Sequence, residues 1–299
     1  MNIVMIGAGA MGSLLHQQLD AYHQVHFLPK PGQQEFGFTE TYQFTHLNGN
    51  TEQLVRRYIK VEQIGQADMV ICALKAYQVK GAVEYIAPFL SPDCPLVLQH
   101  NGMGVFQQVR QALGDNYKLG LLLSTQGARR VEDEQVLHTG KGNWQLGSYQ
   151  AFDVRDNPAA ALLNHLQDCS WYPSIREIQW TKLAVNCVIN PLTAIYDVLN
   201  GELNNDRFTD IIDALINEVV VQAKVEKINL EPERLRNTIY QVIRQTAGNS
   251  SSMREDILAH RQSEIEFING YIVNCAQHSG RAAPQNQWCV TQINQLQKK

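Results

Sequence analysis

Residues 1–12 read MNIVMIGAGAMG. Asn2–Ile6 is a short run rich in Ile and Val, the composition of a buried strand. Gly7-Ala8-Gly9-Ala10-Met11-Gly12 follows at once, and Leu14, Leu15, Gln18 and Leu19 then take helical spacing to about Tyr22. Val25–Leu28 reads as a second strand. Strand, GxGxxG, helix and strand, in that order, is the context that a dinucleotide-binding fingerprint requires. Each glycine has its own task. Gly7 permits the tight turn, Gly9 lets a pyrophosphate approach the backbone, and Gly12 lets the helix pack close to the strand. The phosphates then meet the free N–H groups of a helix start. A GxGxxG alone is weak evidence; in this context it decides the fold of the amino-terminal half.

The end of the second strand bears on the cofactor. A site for NAD usually carries Asp or Glu there to bind the ribose 2′-hydroxyl. Here Leu28 is followed by Pro29-Lys30-Pro31, with no carboxylate. A cation suits a 2′-phosphate, so the pattern leans towards NADP, although Lys30 alone reads equally well as a solvated loop lysine. Further on, Tyr42–Leu47 and Thr51–Ile59 flank Asn48-Gly49-Asn50, a β-hairpin signal. Met69–Leu74 reads as a buried strand with Lys75 leaving its carboxyl end, where open α/β sheets bind ligands. Lys75 is a candidate for the nicotinamide half of a cofactor or an ordinary loop lysine. Val79–Leu90 reads as a helix, and Pro95–His100 as a strand ending in Asn101-Gly102-Met103-Gly104, where Asn101 is placed to hold a carboxamide or a substrate oxygen. His100 reads as a packed histidine. Tyr117–Thr125 is a strand, Gln135–Thr139 and Asn143–Tyr149 read as a hairpin around Gly140-Lys141-Gly142, Asn157–Gln167 is a helix, and Ser170–Ile175 a last strand.

After Ile175 the strand signals stop. Helical periodicity occupies Gln179–Asn190, Asp206–Ile228, Glu231–Ala247, Ser252–His260, Glu264–His278 and Gln285–Lys298. This predicts two domains, 1–173 and 174–299. The stretch Trp180–Ile195, WTKLAVNCVINPLTAI, is apolar around most of the helical circle, yet Lys182, Asn186 and Asn190 interrupt it at four-residue steps. Residues four apart share a helix face. Burying these three without partners would cost on the order of several kcal/mol. Either protein groups satisfy the stripe, or it faces a cleft for a polar ligand. A cleft between the domains would bring it to the nicotinamide. Ser251 and Ser252 stand before a helix, which suits either a ligand carboxylate or simple N-capping. Glu264 and Glu266 fall on different faces; spacing does not say which one is buried.

Composition narrows the function classes. The chain has 299 residues, 18% charged, and a net charge of −4, without the basic excess of a nucleic-acid surface or membrane patch. Six scattered cysteines with no CxxC argue for a reducing, cytoplasmic setting rather than disulfides or a metal site. The start is a poor signal peptide, and no apolar run is long enough to span a bilayer.

GAGAMG, LKAYQV at Leu74–Val79, HNGMG at His100–Gly104, KLAVNCVINPLTAI at Lys182–Ile195, NGEL at Asn200–Leu203, SSM at Ser251–Met253 and EIEFINGY at Glu264–Tyr271 resemble ketopantoate reductase (2-dehydropantoate 2-reductase), in the family's order and over nearly the whole chain. The resemblance implies a Rossmann-type dinucleotide-binding domain followed by an all-α domain like the carboxyl-terminal domain of 6-phosphogluconate dehydrogenase. It implies reduction of 2-dehydropantoate to (R)-pantoate with NADPH, in pantothenate and coenzyme A synthesis. Carried over position by position, Lys182 is the general acid. Asn186, Asn190 and Asn200 hold substrate oxygens, and Ser252 binds the carboxylate. Glu264 rather than Glu266 is the active-site acid, contacting both ligands. Gly7, Ala8, Gly9, Ala10, Met11, Gly12, Lys75 and Asn101 hold NADPH, with Lys30 standing where relatives often have Arg. Asp256 is a weaker candidate for supporting Ser252. No metal is implied, the partner is a small keto acid, and the assembly is a monomer or homodimer. The competing readings are an NADP-linked reductase of another 2-keto or 3-hydroxy acid on the same fold, and a non-catalytic NADP-binding sensor.

Overall fold

The structure, a computed structural model, describes residues 1–33, 37–132, 134–153, 155 and 157–298. The chain divides into two compact units, Met1–His100 with Phe106–Ile175 and Asn101–Val105 with Arg176–Lys299. An α/β half followed by a helical half is what the patterning predicts.

The first unit contains β1 (Asn2–Ile6), α1 (Ala10–Leu19), β2 (Gln24–Leu28), β3 (Thr39–Thr45), β4 (Thr51–Tyr58), β5 (Met69–Ala73), α2 (Ala76–Ile86), β6 (Leu96–Gln99), α3 (Val105–Leu113, whose first residue belongs to the second unit), β7 (Leu119–Ser124), β8 (Gly127–Glu132), β9 (Gln135–Gly140), β10 (Trp144–Gln150), α4 (Asn157–His165) and β11 (Cys169–Tyr172). The strands form one sheet in the order β11-β10-β7-β6-β5-β1-β2-β4-β3-β9-β8. Its centre is parallel from β7 to β4, and the inner strands β7, β6, β5 and β1 are almost wholly apolar because both faces are covered. Strand order reverses at β1, between β2 and β5, the switch point at which such sheets bind nucleotides. In register, Ile6 lies beside Leu28 on one side and Cys72 on the other. Gly7, Lys30 and Lys75 therefore all lie just past one end of the sheet.

The Asn48-Gly49-Asn50 turn joins β3 to β4 with Gly49 at φ +84°, as the dipeptide predicts. The expected hairpin around Gly140-Lys141-Gly142 does not form. β9 pairs with β8 and β3 near one edge of the sheet, and β10 pairs with β7 and β11 near the other. The open edge of β7 and the fully buried Trp144 account for the difference: β10 buries its apolar residues only by joining the parallel core. Gly142 packs so close to Thr125 that a Cβ there would stand 2.3 Å from its carbonyl carbon. Helix α3 and strand β8 have no counterpart in the sequence reading.

The second unit contains α5 (Arg176–Tyr196), α6 (Thr209–Val225), α7 (Pro232–Gln245), α8 (Ser252–Leu258), α9 (Asn269–His278) and α10 (Pro284–Leu296). Its core clusters around Trp180, Leu183, Cys187, Val188 and Leu192 of α5, against Phe208, Leu215, Val219, Ile239, Ile272 and Ile293. Helix α5 extends through Pro191, past the expected end at Asn190. The segment expected as one helix from Glu264 breaks at Ile268, after a short 3₁₀ turn at Ile265–Phe267. No described helix is long and apolar enough to cross a membrane.

Candidate active site

In the first unit the fingerprint geometry follows from atom-level crowding. Gly7 has φ +109°, and a Cβ on it would lie 2.2 Å from the Ala73 carbonyl oxygen. A Cβ on Gly12 would lie 1.9 Å from the Gly7 carbonyl oxygen. A Cβ on Gly9 would meet no atom of the other described residues within 4 Å, its chain neighbours aside, so the space over the helix start is open. Gly9 is the N-cap of α1 and offers no side-chain cap, which leaves the first N–H groups of α1 for an anion. A dinucleotide pyrophosphate fits this cradle. Lys30 is exposed beyond β2, in a turn closed by the Gln33 N–H on its carbonyl at 3.0 Å. Lys75 is half-buried as the residue before α2; its N–H donates to Gln78 Oε1 at 3.3 Å. His100 is buried.

In the second unit Lys182 is partly buried on α5. Burial lowers its pKa to about 8, and the Glu264 carboxylate opposes that shift. Glu264 is 3% exposed whereas Glu266 is exposed and accepts from Asn294 Nδ2 at 2.8 Å. The choice that spacing left open thus falls on Glu264. Glu264 Oε2 accepts from Asn101 Nδ2 at 3.1 Å.

Asn101 reaches Glu264 because residues 101–105 belong to the helical unit. Met103 N–H donates to the Phe267 carbonyl at 2.8 Å, and Gln179 Nε2 donates to the Gly102 carbonyl at 3.2 Å. Gly102 has φ +81°, and a Cβ there would lie 2.3 Å from the Phe267 oxygen. Gln179 escaped the sequence reading. Its signal was a buried amide one turn before Lys182, on a helix already marked by polar intrusions.

The amides of the stripe differ in environment. Asn186 Nδ2 is buried with no hydrogen-bond partner among the described residues. Asn190 is 7% exposed. Asn200 Nδ2 donates to Thr246 Oγ1 at 2.9 Å, while its Oδ1 is buried with no hydrogen-bond partner among the described residues. Its backbone N–H donates to the Asn249 carbonyl at 3.0 Å, tying Asn200 to the strand of chain before α8. Ser251 is the N-cap of α8, accepting from Arg254 N–H at 3.1 Å and from Thr193 Oγ1 at 2.7 Å. Ser252 is exposed, with its hydroxyl outside the cap. Asp256 pairs with Arg261 at 3.1 Å. Among the described residues no cluster of His, Cys, Asp and Glu is placed to hold a metal ion.

Residues 3–151 match the family model described as Ketopantoate reductase PanE/ApbA, and residues 174–297 the one described as Ketopantoate reductase PanE/ApbA C terminal. The 2-dehydropantoate 2-reductase of Vibrio cholerae is 37% identical, over all of this chain and 98% of that one. The chain belongs to the ketopantoate reductase family. Its fold matches a PanE/ApbA family ketopantoate reductase from Ralstonia eutropha with a TM-score of 0.87 at 21% identity, covering 100% of this chain and 99% of that one. It also matches D-mandelate dehydrogenase, solved with NADH and anilino(oxo)acetate, with a TM-score of 0.86 at 22% identity and the same coverage. At these identities the two structures speak for the fold alone.

Proposed function

We propose that the protein reduces 2-dehydropantoate to (R)-pantoate with NADPH, as a step of pantothenate and coenzyme A synthesis. Residues 1–173 serve as the NADP-binding domain and residues 174–299 as the substrate domain. The observation that carries the reading is Lys182, on a buried helix, whose pKa burial lowers to about 8 while the buried Glu264 carboxylate opposes that shift.

Bound NADPH supplies the hydride that reaches the ketone carbon. Charge then grows on the ketone oxygen, and Lys182 delivers a proton to it. Asn186, Asn190 and Asn200 hold the substrate's oxygens; the unpartnered Asn186 Nδ2 and Asn200 Oδ1 are the donor and acceptor that a hydroxy keto acid would satisfy. Ser252 takes the carboxylate. Glu264 orients Lys182 and contacts both ligands. Gly7 to Gly12 cradle the pyrophosphate, Lys75 and Asn101 hold the nicotinamide half, and Lys30 meets the 2′-phosphate. Lysine offers a point charge rather than the fork of arginine, so the preference for NADPH is one of degree. The protein acts in the cytoplasm on a small molecule, as a monomer or homodimer.

The test follows NADPH absorbance with 2-dehydropantoate, pyruvate, 2-oxoisovalerate, acetolactate and the 2-oxo acid of mandelate, each at matched concentration. A kcat/KM for 2-dehydropantoate at least 100-fold above the others supports the reading. Preference for another oxo acid overturns the substrate, and no turnover with any of them overturns the enzyme.

A further inference from the structure

Helix α5 continues through Pro191. In an α-helix the carbonyl of one residue accepts from the N–H four residues on, so the Cys187 carbonyl belongs to residue 191. Proline has no N–H, and its ring presses on that same carbonyl. Cys187 is fully buried, where an unmet carbonyl is costly. The partner comes from another helix. Asn269 Nδ2, at the start of α9, donates to the Cys187 oxygen at 2.9 Å. It also donates to Asn286 Oδ1 at 2.9 Å, and Asn286 Nδ2 donates to Glu218 Oε2 at 2.7 Å. The Glu218 carboxylate in turn accepts the backbone N–H groups of Gln285 and Asn286 at 2.8 and 3.0 Å, at the start of α10. This series fixes the orientation of both amides: turned over, Asn269 would set its oxygen against two acceptors. Asn269 and Asn286 are fully buried, so neither is there for solvation.

The break that Pro191 makes, and Asn269 repairs, lies between Asn186 and Asn190. Asn186 immediately precedes Cys187, and Asn190 immediately precedes Pro191. We propose that Asn269 is a positioning residue for this amide pair: by taking the carbonyl that Pro191 leaves open, it holds the broken turn of α5 in the geometry that aims both amides at one substrate. The proposal rests on the reading of Asn186 and Asn190 as substrate clamps. Asn269 itself touches no substrate. A regular turn would serve stability as well or better, since alanine in place of proline restores the backbone donor and gains helix propensity. The broken turn is therefore kept for its geometry.

The experiment is a double-mutant cycle with two readouts. N269L should raise the KM for 2-dehydropantoate roughly five- to tenfold, with kcat changed less than about threefold and the KM for NADPH unchanged. It should also lower Tm. P191A should keep or raise Tm yet raise the same KM. In the double variant the restored N–H serves the Cys187 carbonyl, so the Tm loss caused by N269L should shrink while KM stays high. A purely structural Asn269 would let KM recover together with Tm. The proposal is overturned if KM recovers with Tm, if N269L leaves the KM for the keto acid unchanged, or if P191A does not reduce the Tm loss. Should leucine prevent folding, N269S carries the same cycle. Failure of the underlying reading looks different: N186A and N190A would then leave the KM for the keto acid unchanged. If those two raise it and N269L does not, the clamps stand and the positioning role falls.

Discussion

Asn101 Nδ2 donates to Glu264 Oε2 at 3.1 Å, and Glu264 is the carboxylate that opposes the burial of Lys182. Amide, carboxylate and ammonium thus form a series, linked by the Asn101–Glu264 hydrogen bond and by the pull of the Glu264 carboxylate on Lys182. Burial is the larger influence on Lys182 and lowers its pKa to about 8. In its proposed role as the acid of keto-acid reduction, Lys182 must enter protonated. The rate of reduction should hold below pH 8 and fall as pH rises through it, and pantoate oxidation should show the opposite limb. In E264Q the opposing charge is gone, so the pKa of Lys182 drops further and the alkaline limb moves to lower pH. K182A should lose about 10²- to 10⁴-fold in kcat with NADPH binding intact. Profiles of kcat against pH for the three proteins check this; a limb that stays in place in E264Q removes Glu264 from the series.

Lys30 follows β2, whose last residue lies in register with Ile6 just before the glycine turn. It is exposed, so its charge acts through solvent on any group nearby. Lys30→Glu should raise the KM for NADPH tenfold or more, by replacing attraction with repulsion at a dianionic 2′-phosphate, and should leave the KM for NADH within about twofold. The NADPH effect should weaken as salt rises. Equal losses for both cofactors would exclude Lys30 from the 2′-phosphate site.

The legible parts of the fold were those fixed by local chemistry. Gly7 and Gly12 could be read because a Cβ at either would stand 2.2 or 1.9 Å from a carbonyl oxygen, and the Asn48-Gly49 turn because only a few residues adopt its backbone angles. The pairing of β10 was not legible. Alternation says that Asn143–Tyr149 is a strand, but not that the open edge of β7, some twenty residues earlier, outcompetes its neighbour β9. Helical periodicity carries α5 only to Asn190, and the donor that makes the continuation through Pro191 tolerable, Asn269, lies 82 residues beyond the Cys187 carbonyl that it serves. In the site, four-residue spacing revealed Lys182, Asn186 and Asn190, whereas burial had to choose Glu264 over Glu266. That residues 101–105 travel with the helical unit is a matter of tertiary packing, with no mark in their own sequence.

His16 gives the first unit an acid sensitivity of its own. It is fully buried on α1, with Nδ1 at 2.9 Å from Tyr42 Oη, and Tyr42 donates its proton to the Ser13 carbonyl. Desolvation lowers the pKa of His16 to about 4, against the pull of Asp20. Between pH 6.5 and about 4 the unfolded chain takes up a proton at this residue that the folded protein refuses. Stability is then complete above pH 6.5 and declines as pH falls through that window. H16Q should begin with a lower Tm at pH 7.5 but lose less on going to pH 5 than the wild type does. Thermal melts at the two pH values check it, and equal losses would mean that His16 does not drive the decline.

The fingerprint glycines separate folding from binding. Gly12→Ala would place a methyl group 1.9 Å from the Gly7 carbonyl oxygen, so α1 must shift away from β1. Such overpacking costs about 1–3 kcal/mol or more, and G12A should melt lower with or without cofactor. Gly9→Ala meets nothing within 4 Å, and its backbone at φ −75° and ψ −174° is ordinary for alanine. The loss of a favourable N-cap costs at most about 1 kcal/mol. G9A should therefore fold and melt nearly as the wild type, yet bind NADPH at least tenfold more weakly, because its methyl group occupies the space a pyrophosphate needs. Fluorescence titration with NADPH beside the melting curves reads both effects. If G9A binds NADPH as tightly as the wild type, the phosphates do not lie over the start of α1.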